Sequence, residues 1–208
     1  MNPEERIIQG AGELFFQNGI RTVTMDDIAS KLGISKKTIY NYFEDKNLLV
    51  QSLTEIILKE EHRHMLSFRD KSKNPVEEIL MVMDHLSSFF QRTNPALFYD
   101  LQKYHPHAWH SFKTFKDQAM IGFVEENLKT GIKKDLYRSN INIKVLSKLR
   151  IEQVEWGMNP LLFPSTEFNL KKVQLELLDH FLHGIVSMKG FKLIEKYKKQ
   201  TKVLHSKI

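Results

Sequence analysis

Apolar residues recur at intervals of three and four along almost the whole chain, the spacing of helices with one buried face. Ile7, Ile8, Ala11, Leu14 and Phe15 predict a first helix over Pro3 to Gln17, with proline in its first turn and Gly19 beyond its end. After Glu44-Asp45, the residues Leu48, Leu49, Leu53, Ile56 and Ile57 predict one apolar stripe on a long helix reaching about Phe68, followed by a loop at Lys71 to Asn74. Pro75 opens another helix, with Val76, Ile79, Leu80, Met83, Leu86 and Phe90 spaced for burial, that ends near Asn94-Pro95. A short helix from Ala96 to Tyr104 follows, then a longer one from about Ala108 to Thr130, closed by Gly131. The polar stretch Gly131 to Asn142 reads as a loop. Helices over roughly Ile143 to Leu162, halted by Pro160 and Pro164, and Leu170 to about Lys199 complete the chain. No strand-like alternation of useful length and no internal repeat interrupts this pattern, so the fold class is all-α.

One stretch is more specific than the rest. Between Thr24 and Lys46 the sequence reads as two short helices joined by a tight turn. Thr24 can cap the first, with Asp27 three residues on to complete a capping box. Ile28, Leu32 and Ile34 mark its inward face, Ala29 is small where two helices must cross closely, and Gly33 sits at the turn, where the lack of a Cβ permits positive φ. Ser35 caps the second helix and Ile39 pins it. Lys36, Lys37, Thr38, Tyr40, Asn41 and Tyr42 are left to point outward or along the edges, and such side chains hydrogen-bond bases and phosphates.

These residues, with Tyr42-Phe43 and Lys46 followed by Leu48-Leu49, resemble the DNA-binding domain of the TetR/AcrR family of bacterial transcriptional regulators. The resemblance covers roughly the first fifty residues and implies a helix-turn-helix domain over 1–47 and a helical effector-binding and dimerisation domain over 48–208. It places Lys36, Lys37, Thr38 and Asn41 nearest base edges, Ser35 at the cap of the reading helix, and Thr24, Tyr40, Tyr42 and Lys46 on phosphates of double-stranded DNA. It further implies a homodimer that reads a pseudo-palindromic operator, its two reading helices roughly 34 Å or a small multiple apart. The long helix after Lys46 would couple ligand binding to DNA release. The implied function is a repressor released by a small apolar or aromatic effector. A DNA-binding protein of the same fold without an effector, controlled by a protein partner or acting architecturally, is the alternative.

Composition adjusts this picture in three ways. With 208 residues, 41% of them hydrophobic, the chain can bury a sizeable core. No apolar run approaches the roughly 20 residues needed to span a bilayer, and the first residues lack a basic-then-apolar leader, so a cytoplasmic protein without membrane partners is expected. The absence of cysteine excludes disulfides, thiolate metal sites, cysteine nucleophiles and thiol redox sensing. The formal charge of +6 comes from the end of the chain, where Lys189, Lys192, Lys196, Lys198, Lys199, Lys202 and Lys207 face only Glu195, whereas residues 1–48 are nearly neutral. The local fact carries more weight: from Ala29 to Phe43 every charge is positive. No Gly-x-Ser-x-Gly elbow, Walker loop, His-Glu-x-x-His or paired-acid motif is present, so no enzyme and no cofactor are expected.

Aromatic residues between Asn74 and Pro164 are expected to fill the core or, in part, to line a ligand pocket, with Phe89, Phe90, Tyr99, Trp109, Phe112 and Trp156 as candidates. No buried-looking acid or base stands out to fix a ligand's charge. The last helix carries Leu178, Phe181, Leu182 and Ile185 on one face, and the family resemblance implies that the last two helices pair with those of a second subunit in a four-helix bundle, with these residues at the interface. His105, His107 and His110 cluster around Pro106 but have no carboxylate nearby, so they read as solvated loop histidines and not as a metal site.

Overall fold

A computed structural model describes residues 2–205, the side chains of 198 and 200–205 excepted. The chain is all-α. Eleven helices are found among the described residues: α1 (Pro3–Asn18), α2 (Met25–Leu32), α3 (Lys36–Tyr40), α4 (Lys46–Lys71), α5 (Pro75–Gln91), α6 (Ala96–Tyr104), α7 (Pro106–Phe115), α8 (Ile121–Lys133), α9 (Ile143–Gly157), α10 (Leu170–Ile185) and α11 (Met188–His205).

Helices α1 to α3 form a head around Ile7, Ile8, Ala11, Phe15, Ile28 and Ile39. The same cluster takes in Leu49 and Val50 of α4, Leu97 and Leu101 of α6, and Ala108 of α7, so the core runs across position 47 without a break. In the body, α5 packs on α4, α8 and α10, while α9 lies between α8 and α10. Only part of the expected α4 stripe turns inward: Leu49 is buried, Leu53 and Ile57 half-buried, but Leu48 and Ile56 are exposed.

Four expectations about the body need correction. The helix expected over Ala108 to Thr130 begins at Pro106 and is interrupted at Lys116–Met120 by a turn of π-helix, which inserts one residue into the helical ladder. At the start of this turn the Lys116 ammonium is buried and pairs with Glu152 and Glu155 of α9. Gly131 does not end this helix, which runs on to Lys133. Its lack of a side chain serves packing instead: a Cβ there would lie 2.0 Å from the Tyr137 ring. Helix α9 stops at Gly157, short of Leu162, because proline at 160 disfavours helical backbone at Asn159.

The single helix expected from Leu170 to Lys199 is two. Val186 is drawn into extended backbone by an antiparallel bridge with Tyr137, in which Arg138 N donates to Ile185 O at 2.9 Å and Ser187 N to Leu136 O at 2.9 Å. Ser187 then restarts the chain as α11 by accepting from Gly190 N. The lysine-rich end follows; the side chains of Lys198 and Lys202, and all of Lys207, fall outside the described residues.

Candidate nucleic-acid interface and internal cavity

The head is held by local hydrogen bonding that the sequence encodes directly. Thr24 Oγ1 accepts from Asp27 N, and Asp27 Oδ2 accepts from Thr24 N at 2.7 Å, a reciprocal capping box on α2. These bonds hold the Asp27 carboxyl below the usual carboxylate range. Gly33 closes α2 at φ 65°, in the left-handed region, with Ile34 N donating to Ala29 O. Ser35 Oγ accepts from Thr38 N at 3.0 Å and starts α3.

Ile39, with no exposed surface, anchors α3 against the head. Lys36, Lys37, Tyr40, Asn41 and Tyr42 are exposed on α3 and the turn after it, Ser35 is exposed at its cap, and Thr38 is half-buried. The Lys36 ammonium reaches Asp26 at 2.7 Å, which brings the start of α3 beside the first turn of α2, where Thr24 is also exposed. Exposure of both partners makes this ion pair weak, and a phosphate or base edge can replace the carboxylate.

Lys46 is placed differently from the phosphate contact expected of it. Its Nζ points back into the head and donates to Ile20 O at 2.6 Å and Val23 O at 2.5 Å, over the ring of Phe15. Burial pushes its pKa down. Two of its three N–H donors thus hold the corner between α1 and α2. That corner is also tied to the body, because Asp100 of α6 accepts from Arg21 N at 2.8 Å, and Asn94 donates from its backbone N to Phe16 O and from Nδ2 to Gln17 O.

Inside the body lies a cavity of about 210 Å³ with an almost wholly apolar lining. Its wall is built from α4 to α10, and it extends to Phe15, Phe16 and Ile20 of the head. Of the expected pocket residues, Phe89, Phe90 and Phe112 line it. Tyr99, Trp109 and Trp156 do not. Trp109 stacks on Phe112 but packs toward the head core, the Tyr99 hydroxyl accepts from Lys103, and Trp156 is 46% exposed on the outer face of α9.

The lining also holds groups that sequence reasoning missed: Glu61 of α4, His85 of α5 and Arg150 of α9. His85 Nε2 meets Glu61 Oε2 at 2.8 Å, and this hydrogen bond, with the nearby Asp84, raises the His85 pKa against partial burial and Arg92. His64 and Phe68 lie against the same ring. A raised pKa in the folded state means stability that is full below about pH 6.5 and is lost as pH rises through the folded value. The difference in melting temperature between the wild type and His85→Gln should therefore shrink as pH is raised from 6 to 8; a gap that stays constant would show that this pair does not titrate on folding.

His105 is not a solvated loop histidine. It is buried and its Nδ1 sits 2.8 Å from Asn47 Oδ1, with its pKa lowered by burial and by Lys46. Among the described residues no group of three or more His, Cys, Asp or Glu side chains could hold a metal ion. No helix there is long and apolar enough to cross a membrane.

The four residues expected at a subunit interface are also placed elsewhere. Leu178 (3% exposed), Phe181, Leu182 and Ile185 are buried within the chain's own core, against α5 and neighbouring residues of α8 and α11. Val145, Leu149 and Trp156 on α9, with Leu161 and Leu162 just beyond, are among the exposed apolar side chains, as are Ile56 and Leu66 on α4 and Met188 and Phe191 on α11.

Residues 7–53 match the family model of bacterial regulatory proteins, tetR family. The chain is 26% identical to an uncharacterized HTH-type transcriptional regulator, YvaF, of Bacillus subtilis, over 88% of this chain and 96% of that one. Its fold is that of a TetR-family transcriptional regulator from Agrobacterium tumefaciens, with a TM-score of 0.72 at 14% identity, covering 88% of this chain and 97% of the other. It is also similar to the regulator FadR from Bacillus subtilis in complex with stearoyl-CoA, with a TM-score of 0.63 at 16% identity over 87% and 98% of the two chains. Residues 7–53 thus form a head of the tetR-family type, the whole chain carries the fold of TetR-family regulators, and together they support a DNA-binding transcriptional regulator.

Proposed function

We propose that this regulator is a homodimeric repressor that leaves its operator when a small apolar ligand enters the body. The observation that carries the reading is the continuity of the cavity with the head, since Phe15 and Phe16 of α1 form part of the same wall as Leu97 and Leu101 of α6. A ligand that prefers one arrangement of α6 acts directly on the corner that Asp100 and Asn94 hold, and differential affinity for two arrangements is all that a shift in DNA binding needs. The existence of this space favours an effector over the effector-free alternative. Within the chain, a head over 1–47 and a body over 48–208 remain the proposed functional division, although one core serves both.

For DNA, the exposed face from Ser35 to Tyr42 is the proposed reading surface, with Lys36, Lys37, Thr38 and Asn41 on base edges and Thr24, Tyr40 and Tyr42 on phosphates. Selection of bound duplexes from a random pool tests it and returns half-site and spacing together. A pool that enriches no two-fold sequence would reject the reading. Lys36→Ala and Asn41→Ala should each relax base choice at one position of each half-site, by about 1–3 kcal/mol, read as a flattened preference in the same selection.

Self-association is proposed through the outward stripe of α9. Val145, Leu149 and Trp156 fall at helical spacing on one exposed face, and a second copy would remove them from water.

A further inference from the structure

Arg150 is 4% exposed, and no hydrogen bond or ion pair to its guanidinium is found among the described residues. Its Nη1 is sealed from solvent without an acceptor. A guanidinium presents five donors and accepts nothing, so a buried one without a carboxylate, phosphate or carbonyl partner is costly and rare. The other ionisable groups on the cavity wall are already matched, Glu61 with His85. Beside the wall, Glu78 accepts from Asn127 and lies 3.7 Å from Arg69. Lys116, the other buried cation nearby on the fold, is held between Glu152 and Glu155. Among the described residues, Arg150 is the charged group on the cavity wall for which no hydrogen-bond or ion-pair partner is found.

We propose that the effector is a compact hydrophobic monocarboxylate, its apolar part filling the cavity among Phe89, Phe112, Phe115 and Phe123 and its carboxylate paired with Arg150. This rests on the effector reading above and specifies its chemistry. The planar fork of a guanidinium matches a carboxylate with two parallel hydrogen bonds. Even with burial lowering its pKa to about 10, the group is charged at neutral pH. A cavity of about 210 Å³ is moderately larger than one of about 150 Å³ that takes benzene, a size for a single ring or a medium acyl chain. A polyanionic headgroup would need several unpaired cations, and the wall offers one.

The test uses the full-length protein with three probes that share one chain and differ in head charge: octanoate, octanol and octyltrimethylammonium. Calorimetry and thermal shift on the wild type should rank octanoate first, binding about 30-fold or more tightly than octanol, as expected for a desolvated charge pair. In Arg150→Met that preference should vanish, and Arg150→Lys should restore part of it. Ligand-free Arg150→Met should melt at or above the wild-type temperature, since it removes a buried charge that has no partner. Failure has three separable forms. If octanol or the cation binds as well as octanoate and releases DNA, the effector reading stands and the anion site is overturned. If no probe binds or releases DNA, both are overturned. A lower melting temperature for ligand-free Arg150→Met would assign Arg150 to the core and reject the proposal as well.

Discussion

The double variant Leu149→Glu/Trp156→Glu is expected to sediment as a monomer and to bind operator DNA about 10²–10⁴-fold more weakly than the wild type. The size of the loss follows from geometry. A head whose reading helix has five residues contacts few base pairs, and specific affinity depends on two heads held at fixed separation so that the second contact is intramolecular. Leu149 and Trp156 are 37% and 46% exposed in the single chain, so charging them removes apolar surface from the proposed junction without opening a core. Exposed substitutions of this kind change the stability of one subunit by about 0.5 kcal/mol or less. Circular dichroism should therefore be unchanged while sedimentation and DNA affinity change together. A variant that still sediments as a dimer would move the junction elsewhere on the surface. The companion variant Leu182→Ala should distinguish core from proposed junction, because Leu182 has no exposed surface. It should cost about 2–5 kcal/mol in folding and leave subunit association to whatever remains folded.

Lys46→Met should destabilise the protein by about 2–4 kcal/mol, the order expected when a charged donor to two buried carbonyls is lost, and should leave base preference as it was. Methionine keeps the packing of the stem over Phe15 and removes the ammonium, so the effect isolates the bonds to Ile20 O and Val23 O. Denaturant unfolding reads the loss. Operator selection on the surviving folded fraction reads the preference. The opposite result, unchanged stability with a shallower dependence of DNA affinity on salt, would restore Lys46 to the phosphate backbone.

The head was legible because its determinants are local. Caps at Thr24 and Ser35, a left-handed turn at Gly33 and a pinned Ile39 each act within a few residues, and each leaves its residue type in the sequence. The body was legible as helices but not as surfaces. Leu178, Phe181, Leu182 and Ile185 form a stripe that any burial would produce, and periodicity does not say whether the covering surface belongs to the same chain or to a copy. The break between α10 and α11 depends on the bridge from Tyr137, nearly fifty residues earlier, and carries no local signal beyond the Ser187 cap.

The aromatic residues split for the same reason. Phe89 and Phe90 lie on an inward face of α5, whereas Trp156 lies on the outward face of α9. Arg150 was missed although its position was readable. Ser147, Arg150, Ile151 and Val154 recur at three, four and seven, all are buried, and a cation on such a stripe is a signal that an amphipathic count can find.

The unanswered guanidinium also bears on how the protein would respond to directed evolution. Because an unpaired buried charge opposes folding, a library sorted only for survival after heating should be enriched in replacements at position 150. Such clones would hold their operator at temperatures where the parent lets go, and they would no longer respond to an acid inducer. Sturdiness and responsiveness would thus be traded at a single codon.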